Sequence, residues 1–252
     1  MLCVGLDTDY QRIPECVRAG RSVPEAVLEF NRRIIDATAP HCVAFKPNLA
    51  FYEYLGTEGL RILEKTVEHI RLNHPGQFII ADAKRGDIGN TARMYAKSYF
   101  ETFDFDAVTL SPYMGTDTVT PFLEYPGRFA IVVALSSNPS AADFQTVQGD
   151  GKPLYRSVIE RMMEISSPEK MMFVIGATKA DKLKEIRGFC PDNFFLVPGV
   201  GAQGGSAEEV IQAGSNAKGG LLINSSRGII YASPGEDFAE AAAEAARRTA
   251  TL

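Results

Sequence analysis

The sequence predicts one (β/α)8 barrel, and three observations favour this fold class. Eight apolar runs alternate with helical patterns along the whole chain. Each run is nearly continuously apolar, which is typical of parallel strands buried beneath helices. The 252 residues are a usual length for such a barrel, and no linker or low-complexity segment divides them. We therefore expect a single domain over residues 1–252; the alternative is a doubly wound open sheet, which normally has fewer strands.

The order of the elements follows from where the apolar residues recur. The predicted strands span residues 2–7, 42–48, 78–84, 107–113, 130–137, 171–178, 194–201 and 219–226. Between them, a period of about 3.6 predicts amphipathic helices, with stripes at Val27, Phe30 and Ile34, at Leu60, Leu63, Val67 and Ile70, and at Leu154, Val158 and Met162. Pro24 fits the first turn of a helix, and the Ala-rich segment 236–248 predicts the closing helix. Met1 runs directly into the first strand, so we expect either a leading segment or an abrupt start of the domain.

The composition excludes several classes of protein. The formal net charge is −5, and no cluster of Lys and Arg resembles a nucleic-acid footprint, so we expect no nucleic-acid partner. No apolar run reaches the length of a membrane span, and the N-terminus lacks the pattern of a signal peptide, so we expect a cytoplasmic protein. Cys3, Cys16, Cys42 and Cys190 have neither CxxC nor metal-ligand spacing, which predicts reduced, buried thiols.

The third predicted strand carries the most informative residues, at positions 82–87. Alternation along an extended strand places Asp82 and Lys84 on one face, and Gly86 lets the chain turn toward the helix near whose start Asp87 lies. A lysine between two carboxylates is costly to bury without a purpose, and the flanking negative charge favours its ammonium form. The pattern therefore predicts a fixed proton donor with a fixed anion beside it.

Polar or glycine-rich residues follow seven of the eight predicted strands. In this fold the functional site lies at the carboxyl ends of the strands. The central group is Lys46, Asp82, Lys84 and Asp87, which Asp7 joins from the first strand. A structural ion-pair network is the alternative, but such networks stabilise little, so the density of charge favours function. The long segment after Ser137 predicts a lid.

The loops after the seventh and eighth strands predict a phosphate site. Gln203, Gly204 and Gly205 follow the seventh strand, and Ser226 and Arg227 follow the eighth. Barrels often bind phosphate with these two loops, through backbone N–H groups and a fixed cation. The alternative is a pair of turns that close the barrel and carry a surface arginine.

No histidine lies at the carboxyl end of a predicted strand. His41 precedes the second strand, whereas His69 and His74 belong to the helix after it and to that helix's end. A histidine general base and a His-ligated zinc are therefore not expected, and the three residues are interpreted as solvated or helix-packing. Ser136 and Ser137 have no visible partner base, which favours hydrogen bonding to a ligand over a nucleophilic role.

The motif Asp82-x-Lys84-x-x-Asp87-Ile88-Gly89-x-Thr91, preceded by Ile79-Ile80, resembles the signature of the orotidine 5′-phosphate decarboxylase family. Residues 45–48, 198–205 and 224–228 look like that family's strand-2 lysine, strand-7 phosphate loop and strand-8 phosphate arginine. The resemblance spans all eight units and is closest to the longer bacterial form. It implies a cofactor- and metal-independent homodimeric barrel that converts orotidine 5′-monophosphate to UMP, the last step of de novo pyrimidine nucleotide synthesis.

The resemblance also implies a role for each matching residue. Lys84 protonates C6 as CO2 leaves, and Asp82 lies against the substrate carboxylate. The other implied roles are Lys46 and Asp7 at the ribose, Ser137 at the pyrimidine edge, Pro198 near the base, Gln203, Gly204, Ser226 and Arg227 at the phosphate, and Asp87, Ile88 and Thr91 in the partner's site. Chemistry agrees, because loss of CO2 leaves a carbanion that an ammonium group stabilises and protonates.

Three other functions compete with this one. A sugar-phosphate decarboxylase or epimerase of the same barrel type is the nearest; the decarboxylase shares the Asp-x-Lys-x-x-Asp motif but holds Mg2+ through an acidic residue where this chain has Lys46. A Schiff-base aldolase needs a lysine that loses its proton readily, which flanking carboxylates oppose. A non-catalytic nucleotide-binding barrel needs neither the charged motif nor a lid.

Overall fold

The computed structural model describes residues 1–176, 180–199 and 207–251. Eight strands close into a parallel barrel in the order β1-β8-β7-β6-β5-β4-β3-β2. The strands are β1 (Leu2–Leu6), β2 (Ala44–Pro47), β3 (Phe78–Arg85), β4 (Ala107–Leu110), β5 (Phe129–Leu135), β6 (Met171–Ile175), β7 (Phe195–Pro198) and β8 (Leu221–Ser225). The predicted fold class is confirmed, and the open-sheet alternative is wrong.

Helices lie between the strands, as expected for this fold. They are α1 (Glu15–Arg18), α2 (Val23–Thr38), α3 (Ala50–Glu53), α4 (Gly56–Asn73), α5 (Gly89–Lys97), α6 (Thr120–Leu123), α7 (Leu154–Ile165), α8 (Ala180–Phe189), α9 (Ala207–Gly214), α10 (Arg227–Ile230) and α11 (Phe238–Ala250). A π-helical turn, Ser98–Thr102, continues α5. An antiparallel hairpin of two short strands, Gln148–Gly149 and Lys152–Pro153, precedes α7.

The chain groups into two compact units, Met1–Ala83 with Asn224–Leu252 and Lys84–Ile223. In the first unit, Pro24 lies in the opening turn of α2, as predicted. The ring of Phe30 on α2 stacks on Tyr231 and Phe238 with centroid distances of 5.8 and 5.3 Å, which joins α2 to the end of the chain. The expectation of a single domain stays a prediction.

A buried polar network in the first unit holds the end of β1. The side chain of Asn31 accepts a hydrogen bond from Thr8 at 2.6 Å and donates to the hydroxyls of Tyr52 and Thr66, each at 3.1 Å. The Tyr52 hydroxyl in turn donates to the carbonyl of Leu6 at 3.2 Å. Burial raises the pKa of Tyr52, which keeps the hydroxyl protonated as a donor. The network fixes the backbone just before Asp7.

In the second unit, Arg187 on α8 ties together the segments around β7. Its guanidinium donates to the carbonyls of Gly214 at 2.7 Å, Asn193 at 2.8 Å and Gly220 at 3.0 Å, and lies 3.7 Å from the ring centroid of Phe195. Burial lowers the pKa of Arg187 to about 10, so the group remains charged at neutral pH. The Gly220 carbonyl also accepts from the Phe195 N–H at 2.9 Å, so Arg187 adds a second hydrogen bond there and links the segments before and after β7.

Several predicted strands extend too far at their carboxyl ends. The predictions 2–7, 42–48, 107–113 and 130–137 end at Leu6, Pro47, Leu110 and Leu135 in the structure. Most residues beyond these ends are polar or Pro. They lie outside the strands, and only Asn48 among them keeps a bridge, to Asp82. The closing helix, predicted over 236–248, is Phe238–Ala250. The predicted ends of the sixth and seventh strands, Thr178 and Gly201, lie outside the described residues.

The predicted helix faces are partly confirmed. Val27, Phe30 and Ile34 are buried, but Leu60 is 42% exposed, so its place in the second stripe is wrong. The third stripe is also wrong at Leu154, which is 40% exposed, because α7 instead buries Tyr155, Ile159 and Met162.

The four cysteines form no disulfide, and three of them are buried as predicted. The prediction is wrong for Cys16, which is exposed. Within the described residues, none of the helices combines the length and apolar character needed to cross a membrane.

Candidate active site

A buried ion pair lies at the carboxyl ends of β2 and β3. Lys46 Nζ donates to Asp82 Oδ2 at 2.7 Å, and the two side chains are only 5% and 9% exposed. The ladder continues past β2, because Asn48 bridges to Asp82 and the Leu49 N–H donates to the Asp82 carbonyl at 3.2 Å. Backbone hydrogen bonds therefore hold the segment that carries Asp82.

The charge on Lys46 is stabilised by its neighbours. Burial by itself lowers the pKa of Lys46, but the negative charges of Asp82 and Asp7 outweigh that effect and raise the pKa above its ordinary value. Cys3 lies nearby, and burial raises its pKa, so it stays a thiol. A buried ion pair contributes little stability once its desolvation is counted, so a functional role explains this one better than a structural role.

Asp7 follows β1 and offers a buried acceptor. Its Oδ1 atom makes no hydrogen bond within the described part of the chain. The backbone beside it is held by Tyr231, whose hydroxyl donates to the Asp7 carbonyl at 3.1 Å and accepts from the Asp9 N–H at 2.7 Å. A buried oxygen without a partner on a fixed backbone is suited to accept a hydrogen bond from a ligand hydroxyl.

Residues after β8 approach β1 closely at Gly5. A Cβ atom on Gly5 would lie 1.8 Å from Ser226 Oγ and 3.3 Å from Asn224 Oδ1, so no larger residue fits there. Asn224 Oδ1 is buried and has no hydrogen bond to a described residue. Arg227 follows as the first residue of α10; its side chain is exposed and forms no ion pair with the described residues. This guanidinium is accessible to an anion.

Lys84, in the second unit, has an uncommon backbone conformation. Its φ is +48°, in the left-handed region that non-glycine residues rarely adopt. The prediction that Asp82 and Lys84 share a face assumed an extended backbone, so that alternation does not apply at Lys84. Its N–H donates to the Thr109 hydroxyl at 2.9 Å, and the Thr109 side chain is fully buried on β4. This hydrogen bond helps to hold the left-handed conformation.

The Lys84 side chain is exposed and lines a pocket of about 790 Å3. Other residues that line it are Ser111, Pro112, Ala134, Gln145 and Tyr155. The pocket is large enough for a mononucleotide-sized ligand. The structure thus gives the ammonium group of this lysine access to a concave, mainly apolar surface.

Asp87, which is half-buried, and Ile88 lie on the turn into α5, and Thr91 lies in the first turn of that helix. The Ile88 N–H donates to Asp87 Oδ1 at 2.8 Å, and Gly89 adopts a φ of +56° at the start of the helix. Ile88 is 49% exposed although it is apolar, and Thr91 is also exposed. The chain therefore turns after β3 as predicted and presents these side chains outward.

Ser137 lies just beyond β5, on a segment that Gln145 holds in place. Gln145 Oε1 accepts from the Ser136 N–H at 2.8 Å, and Gln145 Nε2 donates to Ser136 Oγ at 2.9 Å. Gly176, after β6, allows close packing, because a Cβ there would lie 2.7 Å from the Ser137 nitrogen. The predicted lid segment contains the hairpin and Gln145; lid movement stays a prediction.

The predicted phosphate loop after β7 is described only at its start. Pro198 is half-buried at the end of β7. Gln203, Gly204 and Gly205 lie outside the described residues, so their predicted role stays a prediction.

Comparison with known proteins identifies the family. Residues 1–244 match the model of the family described as "Orotidine 5'-phosphate decarboxylase / HUMPS family". The chain belongs to this family. Orotidine 5′-phosphate decarboxylase from Bacteroides fragilis NCTC 9343 is 52% identical over 247 residues, which cover 98% of this chain and 89% of that protein. The enzyme from Christiangramia forsetii is 54% identical over 241 residues, covering 96% and 88%.

Solved structures of the decarboxylase family agree in fold. OMP decarboxylase from Leishmania donovani aligns with a TM-score of 0.83 at 34% identity, covering 100% of this chain and 94% of that one. The UMP synthase of the same organism aligns with a TM-score of 0.85 at 36% identity, covering 98% of this chain and 52% of that chain. Family and relatives together support decarboxylase activity and confirm the resemblance seen in the sequence.

Three residues that contact predicted site residues or their neighbours were given no role of their own by the sequence analysis. Thr109 and Asn224 are polar residues in strands that are otherwise buried and apolar, a signal that the sequence does contain. Gln145 has no such signal, because its contact with Ser136 depends on how a long loop folds back.

Proposed function

We propose that this chain decarboxylates orotidine 5′-monophosphate to UMP and CO2, with Lys84 as the proton donor to C6. The observation that carries the proposal is the order of charges on β3, where the buried Asp82, paired with Lys46, precedes Lys84 by two residues. Family membership supplies the substrate class, since the curated relatives are orotidine 5′-phosphate decarboxylases.

In the proposed reaction, the bond between C6 and the carboxylate breaks and its electron pair stays on C6. The Lys84 ammonium stabilises this developing charge and then transfers a proton from Nζ to C6. The exposed Lys84 side chain regains a proton from water before the next turnover. Asp82 lies against the substrate carboxylate, and its bond to Lys46 supports this role by keeping Asp82 in place.

The remaining contacts orient the nucleotide. Asp7, whose buried Oδ1 has no partner among the described residues, accepts from a ribose hydroxyl, and Lys46 donates to the ribose. Ser137 contacts the pyrimidine edge and Pro198 lies near the base. The proposed phosphate ligands are Gln203, Gly204, Ser226 and Arg227, and the exposed guanidinium of Arg227 supports this role. Binding energy from the phosphate contributes to orientation and to closure of the lid.

The enzyme is proposed to act as a homodimer with shared sites. The exposure of Ile88 and Thr91 at the start of α5, beside the half-buried Asp87, supports the proposal that all three reach the partner's substrate. The reaction is the last step of de novo pyrimidine nucleotide synthesis, and the four free cysteines are compatible with the proposed cytoplasmic location.

The experiment is an assay of UMP formed from orotidine 5′-monophosphate, with and without EDTA. We expect full activity after thorough chelation, because at the end of β2, where the Mg2+-dependent relative carries an acidic metal ligand, Lys46 lies bonded to Asp82 and its charge repels a cation. Loss of activity in EDTA with rescue by Mg2+ would instead favour the sugar-phosphate decarboxylase of the same barrel type.

A further inference from the structure

A cluster of one carboxylate and two imidazoles lies on the outer helices of the first unit. Asp36 is on α2, His69 is on α4, and His74 directly follows α4. Asp36 Oδ1 lies 2.7 Å from His69 Nε2 and 2.8 Å from His74 Nε2. These three atoms all lie within 4.8 Å of one another. None of them takes part in the proposed decarboxylation.

The local backbone brings the two imidazoles together. His74 leaves the helix with φ −136° and ψ 59°, and its ring lies 6.2 Å from that of His69 between centroids. His69 and His74 are five residues apart, and on a regular helix side chains with this spacing do not share a face. The non-helical conformation of His74 therefore turns its ring back toward His69 and Asp36.

The charge around the cluster also suits a cation. Asp36 pairs with no lysine or arginine among the residues that the structure describes; only the two imidazoles contact its carboxylate. The Asp36 side chain is 53% exposed, whereas those of His69 and His74 are 15% and 23% exposed. The donor atoms are thus largely fixed by the protein but reachable from solvent on the carboxylate side.

We propose that Asp36, His69 and His74 bind one divalent transition-metal ion of the Zn2+ class. Two imidazole nitrogens and one carboxylate oxygen are a common zinc donor set, with water as the fourth ligand. A tetrahedral ion at about 2.0–2.1 Å from its ligands needs donor atoms roughly 3.3 Å apart. The N···O distances of 2.7 and 2.8 Å therefore need to open by about 0.5 Å, which rotation of the exposed carboxylate supplies. The two imidazole nitrogens, which lie within 4.8 Å of each other, need to reach the same separation of roughly 3.3 Å by rotation of the imidazole rings.

The sequence predicted no His-ligated zinc and favoured solvated or helix-packing roles for His69 and His74, because only histidines at the carboxyl ends of the strands were considered as ligands. The proposed site lies instead on the outer helices. Because the donors come from α2 and from the end of α4, a bound ion would link these elements and stabilise the fold. The inference does not depend on the proposed decarboxylation.

The test is equilibrium dialysis of the whole chain against Zn2+, in a Cys16→Ser background because Cys16 is an exposed thiol. We expect about one Zn2+ per chain, and a loss of at least about tenfold in affinity in each of Asp36→Asn, His69→Gln and His74→Gln. His41→Gln is the matched control and keeps the parental affinity. Equal zinc binding in all four variants, or no zinc bound by the parent, would overturn the proposal.

Two further readouts keep folding defects apart from lost ligands. Zn2+ should raise the melting temperature of the parent and of His41→Gln but not that of His74→Gln, whose circular dichroism should remain native. All variants should decarboxylate orotidine 5′-monophosphate within about twofold of the parent, since none touches the proposed active site. If Zn2+ raises the melting temperature of His74→Gln as much as that of the parent, the proposed zinc site is wrong. If the parent binds zinc but shows no decarboxylase activity, the zinc site is supported and only the decarboxylase proposal is contradicted.

Discussion

At the carboxyl ends of the strands, Lys84 has a strained backbone and Lys46 and Asp82 carry buried charges. Neither feature is needed to stabilise the fold. Lys84 adopts a left-handed conformation that costs a non-glycine residue about 1–3 kcal/mol. The Thr109 hydroxyl accepts the Lys84 N–H and offsets part of this cost. The left-handed backbone determines the direction in which the Lys84 side chain extends from β3. The hydrogen bond to Thr109 helps to keep the backbone in that conformation.

This hydrogen bond leads to a prediction for Thr109→Val. Valine keeps the shape of the buried side chain but leaves the Lys84 N–H without its acceptor, at a cost of about 0.5–1.5 kcal/mol. We expect kcat to fall roughly threefold to tenfold with little change in KM, because in the proposed mechanism Lys84 acts on the developing charge rather than on ground-state binding. Steady-state kinetics on purified protein measure both values.

Thr109→Ser is the matched control, because it keeps the hydroxyl and loses only a methyl group. Its kcat should stay close to that of the parent. If the Val and Ser variants have the same kcat, the hydroxyl does not position Lys84.

At the scale of secondary-structure elements, the ends of strands and helices position the candidate site residues. The end of β8 and the start of α10 place Asn224, Ser226 and Arg227 in succession, and Gly5 lets Ser226 approach β1. The apolar pattern predicted β8, as residues 219–226, but it did not predict the four-residue helix α10. It did not locate the ends of several strands, because polar residues such as Asp7 and Ser137 directly follow the apolar runs, and the apolar pattern alone does not show where the ladder stops.

At the start of α10, the substitution Arg227→Ala should weaken phosphate binding and also slow turnover at saturating substrate. Binding energy from the phosphate supports closure of the proposed lid and so also lowers the activation barrier. We therefore expect kcat/KM to fall at least about tenfold, or roughly 1.4 kcal/mol, with a lower kcat and a higher KM both contributing. Arg248→Ala, an exposed arginine of α11, is the control and should be neutral. Equal activity of the unmutated protein on orotidine lacking the phosphate would contradict the proposed role.

At the scale of the whole molecule, the closed barrel could be predicted because each of its eight buried strands appears in the sequence as an apolar run. The sequence placed Lys46 and Asp82 in one central group of charged residues, and the structure pairs these two side chains. Contacts that depend on loop conformation or on two separate helices were beyond prediction. Gln145 reaches Ser136 only through a folded loop, and Asp36 meets His69 and His74 only because α2 packs beside α4.

The proposed dimer makes a prediction about mixed subunits. If each site combines Lys84 of one chain with Asp87 of the other, a heterodimer of Lys84→Ala and Asp87→Ala has one doubly mutated site and one intact site. Mixing the two nearly inactive mutants and allowing exchange should restore activity, up to about one site in four for random reassortment. Mixed samples that stay inactive, although mass spectrometry detects heterodimers, would show that Asp87 works within its own chain.

The central claim is that Lys84 delivers the proton to C6, and Lys84→Ala tests it most directly. The measurement pairs kcat on orotidine 5′-monophosphate with the dissociation constant for UMP in the same preparation. We predict that kcat falls by at least about a thousandfold, because a general acid and a charge stabiliser are lost together, while UMP still binds within about tenfold of the parent. Retention of a tenth of the parental turnover, a barrier change of only roughly 1.4 kcal/mol, would contradict the account.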